Sequence, residues 1–145
     1  MLGLGEKPQP ATDLVKDTTE ATFLADVIEA SRDIPVIVDF WATWCGPCKT
    51  LGPMLEAAVK AANGKVRMVK VDVDQNQRIA SQLRIQSIPT VYAFWQGQPV
   101  DGFQGAVPAS ELKAFVGRAA ALAGDGGLAE ALQAAEDMLA EGAVV

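Results

Sequence analysis

The segment that most constrains this chain is a run of apolar residues that leads directly into two cysteines. Residues 36–42 read Val-Ile-Val-Asp-Phe-Trp-Ala, and residues 45–48 read Cys-Gly-Pro-Cys. A nearly unbroken run of β-branched and aromatic residues predicts a strand that is covered on both faces. The proline at position 47 suits the first turn of a helix. We therefore expect both cysteines at a strand-to-helix junction.

The two cysteines, Cys45 and Cys48, are the only ones in the chain. On the first turn of a helix they are close enough to join as a disulfide, and the first lies at the positive end of the helix dipole, which favours a thiolate. A Cys-x-x-Cys pair beside alternating strands and helices indicates redox chemistry. The alternative is metal binding, but a structural zinc site needs four Cys or His ligands. Since the chain has no histidine, zinc or an iron–sulfur cluster would require two copies that share four thiols, and we expect no metal.

Composition narrows the classes of function further. The 145 residues suffice for one domain and a small appendage, and half of them are hydrophobic. A formal net charge of −6 argues against nucleic acid or an anionic membrane as the main partner. No apolar run approaches the roughly 20 residues of a membrane span, and the first residues do not resemble a secretory signal. The expected location is therefore the cytoplasm, where cysteines are more often catalytic than structural.

Residues 41–49, Trp-Ala-Thr-Trp-Cys-Gly-Pro-Cys-Lys, resemble the active-site segment of the thioredoxin family. The resemblance extends over residues 13–123. Further matching positions are Asp39, Pro53, residues 70–76, Ile88-Pro-Thr90, Gly97 and Gly105. The resemblance implies an α/β thioredoxin fold, with a central mixed sheet flanked by helices on both faces. It also implies a reductase of protein disulfides that needs no cofactor beyond the Cys45–Cys48 disulfide.

Periodicity and turn residues predict the elements in order. Apolar residues at helical spacing predict a first helix over 20–31, with Phe23, Leu24, Val27 and Ile28 on its buried face. The other predicted elements are strands at 14–16, 36–42, 65–72, 90–95 and 100–103, and helices at 45–62, at 75–83 and from Pro108 onward. The last helix is expected to bury Leu112, Phe115, Val116 and Ala119.

The two cysteines are expected to act in turn. Cys45, with its sulfur at the surface, attacks a substrate disulfide, and the less exposed Cys48 then resolves the mixed disulfide. Asp39 is a carboxylate in an apolar strand, and burial raises the pKa of such a group. It is therefore able to take a proton near neutral pH. By resemblance, Asp39 matches the family's buried general base and Lys70 matches the lysine that modulates it.

The segment Ile88-Pro89-Thr90 is expected to complete the site. Most X-Pro bonds are trans, so the sequence alone predicts trans, whereas the resemblance implies that Pro89 is cis. A cis bond would place the Ile88 backbone beside the cysteines, where an extended substrate strand can pair with it. For Trp41, docking and core packing are equally compatible with the sequence. The expected docking residues are Trp41, Trp44, Gly46, Pro47, Ile88, Pro89, Gly105 and Ala106.

The chain ends carry separate predictions. Residues 1–12 are expected to be a flexible extension, and residues 13–123 the thioredoxin domain. Residues 124–145 read as a Gly-rich linker and an amphipathic helix, which resembles the opening helix of a tetratricopeptide region present only in part. Thioredoxin domains followed by such repeats resemble the chaperedoxins, co-chaperones that hold unfolded clients and work with folding chaperones. A terminal helix that packs back on the domain is the alternative. The resemblance further implies a flavin- and NADPH-dependent thioredoxin reductase as electron donor.

Overall fold

The computed structural model describes residues 14–123, which form one five-stranded sheet with helices on both faces. The predicted extension 1–12 and the predicted linker and helix at 124–145 lie outside the described residues. The strands are β1 (Val15–Asp17), β2 (Val36–Trp41), β3 (Arg67–Asp72), β4 (Thr90–Trp95) and β5 (Gln98–Gln104). The helices are α1 (Gly46–Ala61), α2 (Gln77–Gln82) and α3 (Ala109–Ala121), preceded by a π-helical segment (Leu24–Glu29) and a 3-10 turn (Ala30–Arg32).

The sheet order is β1-β3-β2-β4-β5, so β2, the strand that leads to the cysteines, is central. β2 pairs in parallel with β3 and antiparallel with β4, and β5 forms a hairpin with β4. The hairpin turns at Gln96 and Gly97, which both have positive φ. Such a two-residue turn matches the twist of the flanking strands. The predicted fold class, a mixed sheet covered on both faces, is confirmed for residues 14–123.

Two apolar cores cover the faces of the sheet. On one face α1 and α3 pack over the strands, and the four residues predicted for α3 are all buried there. On the other face the π-helical segment and α2 pack over a core that includes Val27, Phe40 and Phe94. Five of the six residues of β2 are fully buried, which is the environment that the unbroken apolar run predicts. Because β2 is fixed from both sides, the position where it ends is fixed as well.

The first predicted helix is where the structure departs from the sequence pattern. Residues 24–29 are π-helical and not α-helical. A π-helix closes i→i+5 hydrogen bonds and is therefore wider than an α-helix, so Leu24 leaves the face on which Phe23, Val27 and Ile28 pack against the core. Val27 is fully buried, but Leu24 is 62% exposed. The prediction that Leu24 faces the core is wrong for this reason.

Candidate active site at the start of helix α1

The cysteine pair lies where β2 ends and α1 begins. Cys45 is the N-cap of α1, with extended backbone (φ −89°, ψ 107°), and its Sγ accepts a hydrogen bond from the Cys48 amide at 3.2 Å. Gly46 and Pro47 form the first turn and are exposed. The two cysteines are joined as a disulfide with their Cα atoms 5.3 Å apart. A sulfur at a helix N-cap accepts from an otherwise unpaired backbone N–H, and this arrangement also favours negative charge on that sulfur.

Both cysteines are buried in this oxidised state. Cys45 is 4% exposed and Cys48 is 5% exposed. The expectation that the Cys45 sulfur stays at the surface while Cys48 is deeper is therefore wrong for the disulfide form. The reason is that the disulfide holds Cys45 against the helix turn, where Trp41, Val73 and Ile88 pack around the pair.

Asp39 lies inside the sheet behind the cysteines. It is 1% exposed, and its Oδ1 has no hydrogen-bond partner among residues 14–123. Gly52 follows Cys48 by one helical turn, and a Cβ placed on it would lie 4.0 Å from Asp39 Oδ2. Asp39 therefore faces the same side of α1 as Cys48. Burial raises the pKa of Asp39 to about 6; the nearby Lys70 ammonium lowers it and the Glu56 carboxylate raises it.

Lys70 is the register partner of Asp39 across β2 and β3. Its ammonium donates to Glu56 Oε2 at 3.2 Å and lies 5.3 Å from the centre of the Trp41 ring. A cation over an aromatic face is attracted by the ring quadrupole. Trp41 is half-buried beneath Lys70 and beside the disulfide, and its Nε1 has no partner within the described part of the chain.

The expected docking residues come together around the disulfide. Trp44 is 68% exposed, and its Nε1 donates to Asp74 Oδ2 at 2.8 Å. Ile88 packs against the cysteines, and the Ile88–Pro89 bond is cis, as the resemblance implies. Gly105 adopts φ +78° and donates its N–H to the Pro89 carbonyl at 2.7 Å. Ala106 follows and is exposed. The eight expected docking residues therefore lie in three segments near the disulfide, residues 41–47, 88–89 and 105–106.

Two residues at this site were missed by sequence reasoning. Glu56 carries the ion pair to Lys70, and Asp74 fixes the Trp44 ring. Glu56 had a detectable signal, since Cys48, Gly52 and Glu56 recur every four residues and therefore share one helix face. Asp74 belongs to the segment 70–76 that carries the family resemblance, but nothing in its local pattern links it to Trp44.

No group of three or more His, Cys, Asp or Glu side chains able to hold a metal comes together within residues 14–123. Among the helices of the same range, none has the length and apolar character needed to cross a membrane.

Comparisons with known proteins agree with this geometry. The thioredoxin family model matches residues 14–118. Thioredoxin 1 of Nostoc sp. is 46% identical over 94 residues, which are 65% of this chain and 86% of that protein. A bifunctional thioredoxin reductase/thioredoxin of Mycobacterium leprae is 44% identical over 90 residues, which are 62% of this chain and 19% of that protein.

A solved structure gives the same result in three dimensions. The crystal structure of Malassezia sympodialis thioredoxin has a TM-score of 0.65 and 38% sequence identity to this chain. The match covers 74% of this chain and 90% of the Malassezia chain. With the Cys-Gly-Pro-Cys disulfide at the helix start and the matching fold, the chain belongs to the thioredoxin family and is a thiol–disulfide oxidoreductase of the thioredoxin type.

Proposed function

We propose that this chain reduces disulfides in protein substrates, with Cys45 as the attacking thiolate and Cys48 as the resolving thiol. The observation that carries the proposal is the joined pair at the N-cap of α1, with the Cys45 sulfur accepting the Cys48 amide. A helix N-terminus stabilises the thiolate of its N-cap cysteine. When the disulfide is reduced, the Cys45 thiol is therefore the one that more readily becomes a thiolate.

The reaction has two exchange steps. The Cys45 thiolate attacks one sulfur of the substrate disulfide, that disulfide breaks, a mixed disulfide forms and one substrate thiolate leaves. Cys48 then loses its proton to Asp39 and attacks the Cys45 sulfur. The Cys45–Cys48 disulfide forms, the mixed disulfide breaks and the second substrate thiolate leaves. Two electrons pass to the substrate, and the buried Asp39, with a pKa of about 6, is a base of suitable strength near neutral pH.

Substrate binding is proposed at the surface around the disulfide. Trp44, Gly46, Pro47 and Ala106 are exposed there. Gly105 and Pro89 support the neighbouring loop through their backbone hydrogen bond. An extended substrate strand pairs with the Ile88 backbone, so main-chain hydrogen bonds give affinity without strong sequence preference.

The proposed electron donor is a thioredoxin reductase, and the proposed location is the reducing cytoplasm. The Mycobacterium leprae relative is a bifunctional thioredoxin reductase/thioredoxin, which supports such a pairing. A reductase of this kind uses flavin and NADPH, so this chain needs only its disulfide.

The test is trapping of the mixed disulfide. Cys48→Ser leaves the first step intact and removes the second, so incubation with oxidised insulin should accumulate a covalent complex through Cys45, visible by mass spectrometry. Cys45→Ser should form no complex and reduce no insulin. A Cys45→Ser variant that is trapped through Cys48 at the same rate would overturn the assignment of roles.

A second candidate function is the holding of unfolded clients in concert with folding chaperones. The sequence of residues 128–141 favours it, because this amphipathic stretch resembles the opening helix of a tetratricopeptide region, and thioredoxin domains followed by such repeats resemble the chaperedoxins. Light scattering of an aggregating client tests this candidate with the Cys45→Ser/Cys48→Ser double variant. If that variant still suppresses aggregation, client holding is supported. If the variant has lost the suppression along with its redox activity, client holding is opposed.

A further inference from the structure

The Lys70 ammonium sits among three groups that differ in charge. Glu56 Oε2 accepts from it at 3.2 Å, and the Trp41 ring centre lies 5.3 Å away. A Cβ on Gly52 would lie 4.0 Å from both Lys70 Nζ and Asp39 Oδ2. The Lys70 and Glu56 side chains are only 26% and 29% exposed. Because the pair is partly shielded from water, it is stronger than an ordinary surface ion pair.

The ion pair that forms is not the one that register alone suggests. Lys70 is directly opposite Asp39 on the neighbouring strand. Within residues 14–123, however, the carboxylate in ion-pair contact with Lys70 is that of Glu56 and not that of Asp39. Glu56 reaches Lys70 because it lies two turns after Cys48 on the same face of α1.

We propose that Glu56 is a positioning residue: by pairing with Lys70 it keeps the ammonium from closing onto Asp39, and so leaves Asp39 free to accept the Cys48 proton. The inference rests on the function proposed above. It assigns Glu56 an indirect role through Lys70, since no contact joins its carboxylate to the cysteines.

The charges that face Asp39 explain why this arrangement matters. Lys70 faces it from β3 and Glu56 from α1, whereas its partner on β4 is the apolar Val91. The disulfide cysteines do not titrate in the oxidised protein. Burial and Glu56 raise the pKa of Asp39, and Lys70 lowers it. A direct ion pair would lower it by about 1 to 3 units, which would make Asp39 a poor base near neutral pH.

Removal of the Glu56 charge tests the proposal. In Glu56→Gln the Lys70 ammonium loses its ion-pair partner and is free to approach Asp39, and the negative charge of Glu56 near Asp39 is also lost. Both changes lower the pKa of Asp39, which should fall by about one unit or more. The readout is the side-chain carboxyl resonance of Asp39, followed by NMR against pH in the oxidised protein. Glu29→Gln removes the same charge from an exposed site and should leave the midpoint unchanged.

Positioning is separated from simple charge repulsion by repeating Glu56→Gln in a Lys70→Met background. If Glu56 acts by holding Lys70, its substitution should move the Asp39 midpoint clearly less when Lys70 is absent. Equal movement in both backgrounds would overturn positioning, and so would no movement in either. Asp39→Asn distinguishes this failure from that of the proposed function. If the Asp39→Asn protein, with both cysteines present, resolves its mixed disulfide with substrate at the wild-type rate at every pH, the base role itself fails. If Asp39→Asn slows resolution of the mixed disulfide, but Glu56→Gln moves the Asp39 midpoint equally with and without Lys70, only the positioning role is refuted.

Discussion

Asp39 and Lys70 are register partners on the two central parallel strands, yet they form no ion pair with each other. The carboxyl group is fully enclosed, with one oxygen that has no partner within residues 14–123. A buried charge without a close partner costs folding free energy. Such a group is unfavourable for stability, and its presence in β2 is consistent with a chemical role.

The first prediction concerns stability against pH. Below pH 3.8, the ordinary pKa of an aspartate, Asp39 carries its proton in both the folded and the unfolded chain. Above pH about 6 it is deprotonated in both states, but only the folded chain then holds a buried carboxylate. Stability from this site is therefore fully present below 3.8 and lost as pH rises through about 6. At 1.36 kcal/mol per unit of pKa, the loss is about 3 kcal/mol. Asp39→Asn should recover about 1 to 3 kcal/mol at pH 7.

Urea unfolding of the oxidised protein at pH 4.5 and pH 7 provides the measurement. The free energy of unfolding of Asp39→Asn should exceed that of the wild type at pH 7, and the difference should be much smaller at pH 4.5. Asp33→Asn, at an exposed site, is the matched control and should show neither effect. A wild type whose stability rises between these two pH values relative to Asp39→Asn would contradict the argument.

The second prediction concerns the exposed Trp44 ring. Its Nε1 donates to the Asp74 carboxylate at 2.8 Å, and this bond orients a ring that is otherwise in water. Asp74→Ala removes the acceptor, so substrate must order the ring on binding. A hydrogen bond of this kind is worth about 0.5 to 1.5 kcal/mol. KM for insulin should therefore rise about 2- to 10-fold, with kcat nearly unchanged.

Steady-state kinetics separate the two parameters, and the indole N–H resonance of Trp44 in the NMR spectrum reports the loss of the hydrogen bond. Asp17→Ala is a suitable control because it removes an exposed carboxylate from β1, at the far edge of the sheet. A fall in kcat at constant KM would instead assign Asp74 to the chemical steps.

The third prediction separates the two roles of Cys45, nucleophile and N-cap. Its Sγ accepts the Cys48 amide, and a serine hydroxyl in the same place is a good cap. Alanine leaves the amide unpaired, at a cost of about 1 kcal/mol. Under reducing conditions Cys45→Ser should be about 1 kcal/mol more stable than Cys45→Ala to urea, while both are inactive. Equal stabilities would mean that the sulfur does not cap the helix.

Local patterns were sufficient to predict much of this fold. The bounds of β4 and the turn at Gln96 and Gly97 follow from short-range rules, because alternation and positive-φ residues act within a few positions. The buried face of α3 follows from its 3.6-residue period. At the site, the cysteines and Asp39 stand out because each breaks an otherwise apolar or regular pattern.

What could not be predicted depends on contacts between distant segments. The π-helical turn exposes Leu24 although its spacing suits an α-helix. Lys70 pairs with Glu56 on α1 and not with Asp39, its register partner on β2. The burial of Cys45 arises from closure of the disulfide against Trp41 and Ile88. Each of these features depends on packing between segments that are distant in the sequence, which a local sequence pattern does not report.

The fourth prediction uses two glycines in opposite surroundings. Gly102 on β5 is the register partner of Tyr92, and a Cβ there would lie 2.6 Å from Tyr92 Cδ1 and 2.9 Å from the Val91 carbonyl oxygen. The backbone oxygen cannot move without disturbing β4. Gly102→Ala should therefore cost about 1 to 3 kcal/mol, as overpacking does.

Gly117 provides the matched variant, since it lies in the exposed middle of α3 and a Cβ there meets nothing within 4 Å. In a helix interior, alanine is favoured over glycine by about 0.5 to 1 kcal/mol. Gly117→Ala should therefore stabilise the protein while Gly102→Ala destabilises it, although both add one methyl group. Urea unfolding of the two variants measures the difference. A Gly102→Ala protein as stable as the wild type would show that the close contact with β4 has no energetic role, and a destabilised Gly117→Ala would show that the helix preference for alanine does not decide stability at that site.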